Sequence, residues 1–545
     1  MKFMRPTWPW KLLSIVALLP LLLASSLAQA FDALTFVGCD GQSGEYRVEF
    51  DGQVVLNKKF LAAGQPLAAQ VQNAIRQQAK FLAGYFYSRQ GAGQLRLVVS
   101  DDTLRVSSLR QREVKYPFEL ELGAVQHPDV RIDQPYMAAA LKAGRTKKSD
   151  PGLQIHYRAS VVAIACMPQG RKVPGTITIP IPSDPFLFYW NVRPQDRRPI
   201  RWRKSFFVVN PCADAEIADL PHPYYLWYVW DPRKTGTDDE RREFRCARLL
   251  KSGRDYRDVR AKLSVLRRQD PNQGALALDR LPRSRPLKVT VLWGVLDPKS
   301  KVFPYQDFVK AFSPGPLPFD SKLASFMKTA GYTEELAGGA EHDRGSLYLT
   351  AFLRHLSMIL VVSDYKAEAM AGGFLLHLSA RLKQSGTALE LRVFFGPTDL
   401  LSGAEPAHWP VLADALALDD IVLYNGHSGL GANTSVESLA GALQLNANET
   451  SRRLKGPPYQ LVGYLSCFSY AYFGKDLLEL RKKSGATGTM DVIYTGSDFT
   501  SERGPLGVLE FIDRNLAARR PRARDLLSSG YFRNEDFVVI KNTSY

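Results

Sequence analysis

From residue 288 onward, short runs that are apolar at nearly every position alternate with longer stretches in which apolar residues recur every three or four positions. The short runs are VTVLWGV (289–295), LELRVFF (389–395), DIVLY (420–424), QLVGYLS (460–466), DVIYTG (491–496) and FVVI (537–540). Their length and β-branched content predict strands, and the lack of polar alternation predicts burial on both faces. The longer stretches AMAGGFLLHLSARLKQ (369–384), SVESLAGALQL (435–445), AYFGKDLLELRKK (471–483) and GPLGVLEFIDRNL (504–516) predict helices. This alternation implies an α/β fold with a mostly parallel sheet covered on both faces, whose ligands gather beyond the carboxyl ends of the strands. The stretch 296–370, which includes MILVVSDY, has no secure assignment.

The first half has a different rhythm. YRVEFDGQVVL (46–56), QLRLVVSDDTLRVSS (94–108), LQIHYRASVVAIACM (153–167), GTITIPIP (175–182) and KSFFVVNPC (204–212) alternate or are β-branched and are separated by turn residues, which predicts strands. One amphipathic helix is predicted over 70–88. The aromatic runs FLFYW (186–190) and YYLWYVW (224–230) read as strand core rather than as a sugar or peptide site. DRLPRSRPLK (279–288) has the proline and arginine content of an exposed linker. The expected organisation is a β-rich region of one or two subdomains over 31–285, then an α/β domain over 286–545.

Residues 1–30 carry Lys2, Arg5 and Lys11, an apolar run over 12–23, and the small-x-small site Ala28, Gln29, Ala30. That is the pattern of a cleaved signal peptide, and no later segment is apolar enough to span a bilayer. The mature chain is therefore expected to be exported, to the periplasm or beyond. Charge divides as the pattern does: 31–285 holds 41 basic and 27 acidic residues, whereas 286–545 holds 27 of each. A basic half suits an anionic envelope polymer, lipid head groups or nucleic acid, but no nucleic-acid motif accompanies the charge, and a solvated arginine-rich surface is the first reading of it. Cys39, Cys166, Cys212 and Cys246 form an even set able to make two disulfides in an oxidising compartment, which leaves Cys467 alone in the second half.

The candidate chemistry begins at IVLYNGHSGLG (421–431), where a buried strand runs into a glycine-rich loop. Ser428 there has part of a nucleophile elbow, but Leu430 stands where the second glycine belongs, and no histidine follows His427. Forty residues after His427, the next apolar strand ends at Cys467. Between them TSVE (434–437) matches a capping box, so that Thr434 is expected to cap a helix bearing Val436, Leu439 and Leu443 on one face. Strand, loop, helix and strand make one right-handed crossover, which brings two neighbouring strand ends together. The helix after Cys467 is expected to begin near Ser469 and to close with Arg481, Lys482 and Lys483 before Gly485. Its amino end and the imidazole favour a thiolate at Cys467. The backbone N–H groups of Cys467, Ser428 and Gly429 are the natural donors to an oxyanion. Asp498, after the following strand, is placed to prefer a basic substrate side chain. No His, Cys and carboxylate cluster has metal-ligand spacing, and no cofactor is expected.

The blocks IVLYNGHSG (421–429) and QLVGYLSC (460–467) resemble the signature of the caspase-like cysteine peptidases: a hydrophobic block ending in His-Gly, then a second ending in Ala-Cys or Ser-Cys. Caspases, metacaspases, gingipains, clostripain, legumain and separase belong to this group. The resemblance covers only the second half. It implies a caspase-like three-layer α/β/α sandwich, a Cys467–His427 dyad and a protein or peptide substrate. The family usually has glycine directly after the histidine, whereas this chain has Ser428 and then Gly429. The expected function is an exported cysteine peptidase. The alternatives are an inactive caspase-like binding or scaffold protein of the envelope, and a serine hydrolase using Ser428.

Overall fold

The computed structural model describes residues 33–37, 39, 42–62, 64–88, 95–120, 135–167, 170–186, 252–268, 276–295, 343–370, 373–398, 407–428, 433–466, 469–473, 476–485, 488–496, 504–516, 525–526 and 538–544. The expected signal segment, the strand over 204–212, the aromatic run over 224–230, and Cys212, Cys246, Gly429, Cys467 and Asp498 lie outside these residues. The described residues form a mixed α/β structure with two sheets.

The first sheet is antiparallel. Strands β2 (Gln42–Asn57), β3 (Arg96–Lys115), β4 (Pro151–Met167), β5 (Thr176–Pro182) and β6 (Tyr256–Arg268) lie in the order β3-β4-β2-β6-β5. Alternation decides its faces. Val48, Phe50 and Val54 of β2 and Ile155, Tyr157 and Val161 of β4 point into one core, where helix α1 (Leu67–Ser88) contributes Val71, Ala74, Ile75 and Leu82. The intervening residues are polar and pair across strands: Asp51 lies opposite Arg158, with Nε to Oδ1 at 2.8 Å, and Glu49 lies opposite Lys262. Such pairs balance charge locally and leave the net positive excess of this half unchanged. Helix α2 (Pro135–Ala143) packs beside the short turn at Lys58–Phe60.

The second sheet is mixed. It contains β1 (Ala33–Val37), β7 (Leu287–Gly294), β8 (Leu360–Met370), β9 (Gly373–Leu382), β10 (Ala388–Gly396), β11 (Ile421–Asn425), β12 (Tyr459–Leu465), β13 (Thr489–Thr495) and β14 (Val538–Ser544). Their order is β1-β14-β13-β12-β11-β7-β10-β9-β8. The five from β13 to β10 are parallel, and antiparallel strands flank them on both sides. Helices α3 (Arg344–Ile359) and α9 (Gly504–Asn515) cover one face, packed on Val289, Val291, Leu391, Leu423 and Leu461. On the other face lie α4 (His408–Leu418), α5 (Val436–Ala442), α7 (Ser469–Phe473) and α8 (Asp476–Lys483), packed on Leu292, Phe394, Val422, Val462 and Val492; α6 (Ala447–Arg453) packs beside α8. Adjacent residues of each central strand thus feed opposite cores, which is why these runs show no polar alternation.

Four sequence expectations change. The helix expected over 369–384 is largely strand β9, running antiparallel between β8 and β10. Phe374, Leu376, Leu378, Ala380 and Leu382 share one face at a spacing of two, and a Cβ on Gly373 would meet the Phe395 carbonyl oxygen at 2.0 Å. The same residues also satisfy helical spacing, so long-range pairing decided between the two. The cap of α5 is Ser435, which accepts from the Ser438 N–H, while Thr434 is buried; the capping box falls on α6, between Asn446 and Glu449. The segment expected as an exposed linker is strapped to the second sheet. Leu281 and Leu287 enter its core, and Arg285 makes two 2.7 Å bonds to Asp420. Arg481, read as a cation near a helix end, is fully buried, and its guanidinium donates to the carbonyls of Leu454 (3.1 Å) and Leu416 (2.8 Å) and to Gln460 Oε1 (2.5 Å).

Among the described residues the two sheets meet around β1, β3, β4 and α7. Although β1 precedes the first sheet in the chain, it pairs with β14 at the edge of the second. Cys39, just beyond it, forms a disulfide with Cys166 of β4. Val98 of β3, Ile164 and Cys166 of β4 and Phe36 of β1 share an apolar cluster with Tyr470 and Phe473 of α7. Because the bridge spans 127 residues of sequence, Cys39→Ser is expected to lower stability by about 2–5 kcal/mol. Unfolding in denaturant without reductant measures this, and an unchanged midpoint would contradict the covalent tie.

Candidate active site

The carboxyl ends of β11 and β12 form the centre of the candidate site. These strands are parallel neighbours, and each β11 residue pairs with the residue 40 positions later, from Ile421 with Leu461 to Asn425 with Leu465. His427 stands two positions beyond Asn425, and Cys467 two positions beyond Leu465 in the sequence. His427 itself is half-buried. Cys467, Gly429 and Asp498 lie outside the described residues.

A buried polar network holds the backbone of His427. Its carbonyl accepts from Tyr424 Oη at 2.6 Å and from Asn433 Nδ2 at 2.9 Å. The single phenolic proton goes to the shorter contact, so Tyr424 Oη is left to accept from Thr398 Oγ1 at 3.2 Å. Asn433 is fixed in turn: its N–H donates to the Ser428 carbonyl at 3.3 Å, and its own carbonyl accepts from His408 Nε2 at 2.8 Å. A carbonyl can only accept, so His408 carries its proton on Nε2. Two glycines leave room for this network. A Cβ on Gly294 would meet Thr398 Oγ1 at 2.3 Å, and one on Gly426 would meet Tyr424 Oη at 2.9 Å.

The turn after β12 is held as firmly on either side of 467–468. The Ser469 N–H donates to the Ser466 carbonyl at 3.2 Å, and Thr495 Oγ1 donates to that same carbonyl. Ser469 Oγ donates to the Tyr464 carbonyl at 2.5 Å and accepts from the Thr495 N–H at 2.8 Å. The ends of β12 and β13 are thereby locked together through Ser466, Ser469 and Thr495.

Ser428 is fully buried, and its Oγ has no hydrogen-bond partner among the described residues. A nucleophilic serine needs an adjacent base, and among the described residues no imidazole bonds to this hydroxyl. Among the described residues no group of three or more His, Cys, Asp or Glu could hold a metal ion, and no helix is long and apolar enough to cross a membrane.

Sequence reasoning named Ser469 only as a helix start, where α7 does begin, and passed over Tyr424, Asn433, Thr398, His408 and Thr495. Asn433 had a signal, since asparagine in a glycine-rich loop is a turn-bonding residue. Thr398, His408 and Thr495 act across separations of 25 or more residues that no linear pattern encodes. Compared with protein families, with curated proteins and with solved structures, the chain matches none.

His408, which anchors this network, is fully buried. Burial pushes its pKa down from 6.5 to about 4. In the unfolded chain the imidazole protonates near pH 6.5, whereas in the folded one it does so only near 4, so between these values the unfolded state binds more protons. Stability should therefore fall as pH drops through that window, by about 3 kcal/mol in total. His408→Gln retains a donor toward Asn433 and should lose most of this pH dependence, as measured by denaturant unfolding at pH 7 and pH 4.5.

Proposed function

We propose that the protein is an exported cysteine peptidase in which Cys467 and His427 form the catalytic dyad of a caspase-like α/β/α sandwich over 286–545. One observation carries the reading: β11 and β12 are adjacent and parallel with a register of 40 residues, the same interval that separates His427 from Cys467. Adjacent parallel strands lie about 5 Å apart, so equivalent positions just past their ends are within reach of one substrate bond. Helices on both faces of the second sheet support the same reading. The Cys39–Cys166 disulfide supports an oxidising compartment, periplasmic or extracellular. The charge excess of 31–285 favours an anionic envelope polymer as a further partner of that half.

In the proposed reaction the Cys467 thiolate attacks the scissile carbonyl carbon, forming a C–S bond while the carbonyl π electrons move onto oxygen. Backbone N–H groups of Cys467 and of the loop at Ser428 and Gly429 receive that oxyanion. As the tetrahedral species collapses, the C–N bond breaks and the His427 imidazolium gives its proton to the leaving amine. The neutral imidazole then takes a proton from water, which attacks the thioester and releases the acid and the thiolate. Asp498 at the rim would select a basic side chain.

The burial of Ser428, at the place where the family has glycine, favours a second reading: a caspase-like binding or scaffold protein without catalysis. Covalent labelling separates the two. An active enzyme should be labelled at Cys467 by peptidyl acyloxymethyl ketones; Cys467→Ala should abolish labelling, and His427→Ala should slow turnover by roughly 10²–10⁴-fold. If wild-type protein stays unlabelled across a broad panel of such probes, the peptidase reading is wrong.

A further inference from the structure

We infer that Tyr424 and Asn433 are positioning residues that set the direction of the His427 side chain by clamping its backbone carbonyl. The catalytic meaning of this clamp rests on the peptidase reading; its geometry does not. His427 lies beyond the last paired residue of β11. Two side chains hold its carbonyl there. Tyr424 Oη and Asn433 Nδ2 occupy both lone pairs of the carbonyl, at 2.6 and 2.9 Å, and a doubly bonded carbonyl leaves its peptide plane little freedom to rotate.

Each donor is anchored from a different element. Tyr424 belongs to β11, is almost completely buried, stands with its ring 6.5 Å from that of His408, and meets Thr398 beyond β10 at 3.2 Å. Asn433, fully buried, is tied to Ser428 within the loop and to His408 at the start of α4. The imidazole therefore leaves the backbone from a point defined by β10, β11 and α4 together. A general acid and base must reach both the leaving nitrogen and the attacking water, and a displacement of about 1 Å costs on the order of 100-fold in rate.

The test uses the full chain and two nearly isosteric substitutions, Tyr424→Phe and Asn433→Asp, each of which removes one donor. Tyr459→Phe is the control. It removes a buried phenol bonded to Asp491 at 2.8 Å at the opposite end of β12, so it costs a comparable hydrogen bond without touching the clamp. With a fluorogenic peptidyl-arginine amide, both clamp variants should lose about 10- to 100-fold in kcat with KM within about twofold, while Tyr459→Phe keeps the wild-type kcat. In protein labelled with ¹³C at histidine Cε1, the ring signal of His427 should shift or broaden in the clamp variants and stay in place in the control. Unchanged kcat in both clamp variants, or an equal loss in Tyr459→Phe, would overturn the inference. If wild-type protein neither turns over peptide nor labels at Cys467, the peptidase reading has failed and the ring signal alone decides: movement confined to the clamp variants upholds the positioning role, and no movement refutes it. Should Tyr424→Phe fail to fold, Asn433→Asp carries both measurements.

Discussion

The parallel pairing of β11 with β12 is the constraint on which the rest of the second sheet depends. Both strands are buried on both faces, so every residue of Ile421–Asn425 and Tyr459–Leu465 has a committed neighbour above or below the sheet. A slip of one residue would exchange the two cores, moving Leu423 and Leu461 to the side of α4 and Val422 and Val462 to the side of α9. Shape and volume on the two sides forbid that exchange, since the sheet is packed on different helices above and below. Register is thus imposed by packing, and the relation between the two strand ends follows from register.

Polar groups finish what the ladder leaves open. The pairing of β11 with β12 ends at Asn425 and Leu465, and beyond it side chains add hydrogen bonds to the backbone. Tyr424 and Asn433 hold the β11 end, while Ser469 and Thr495 hold the β12 end. The burial of these groups makes each bond costly to break, because a lost partner leaves an unsatisfied polar atom in a dry site. The low pKa of His408 reflects the same dryness. Rigidity where a strand becomes a loop is what a site requires if its reacting groups are to stay in place.

The first half bears on this region through contact as well as charge. Its open sheet face carries cross-strand pairs such as Asp51 with Arg158, which suit a solvated surface. At one end that face turns apolar, with Val98, Ile164 and Cys166 packed in the cluster that holds Tyr470 and Phe473 of α7. The helix that follows the candidate nucleophile in sequence is therefore supported by the β-rich half. The Cys39–Cys166 bridge and the pairing of β1 with β14 tie the halves at the same junction.

The linear pattern determined most of what depends on near neighbours. Runs apolar at every position marked the central strands and their burial on both faces, strict alternation marked β2 and β4, and the ends of two such runs drew attention to His427 and Cys467. Other features needed the folded chain. Residues 373–382 satisfy a spacing of two as well as a helical one, and only the partners β8 and β10 made them a strand. Arg481 looks like a helix-end cation until the carbonyls of Leu416 and Leu454 close around it. Tyr424, Asn433 and His408 become one clamp only when a strand, a loop and a helix start converge. Periodicity records how a segment meets its surroundings on average. Which groups meet, and at what distance, is decided by contacts between residues far apart in the chain, and those exist only after the sheet has assembled.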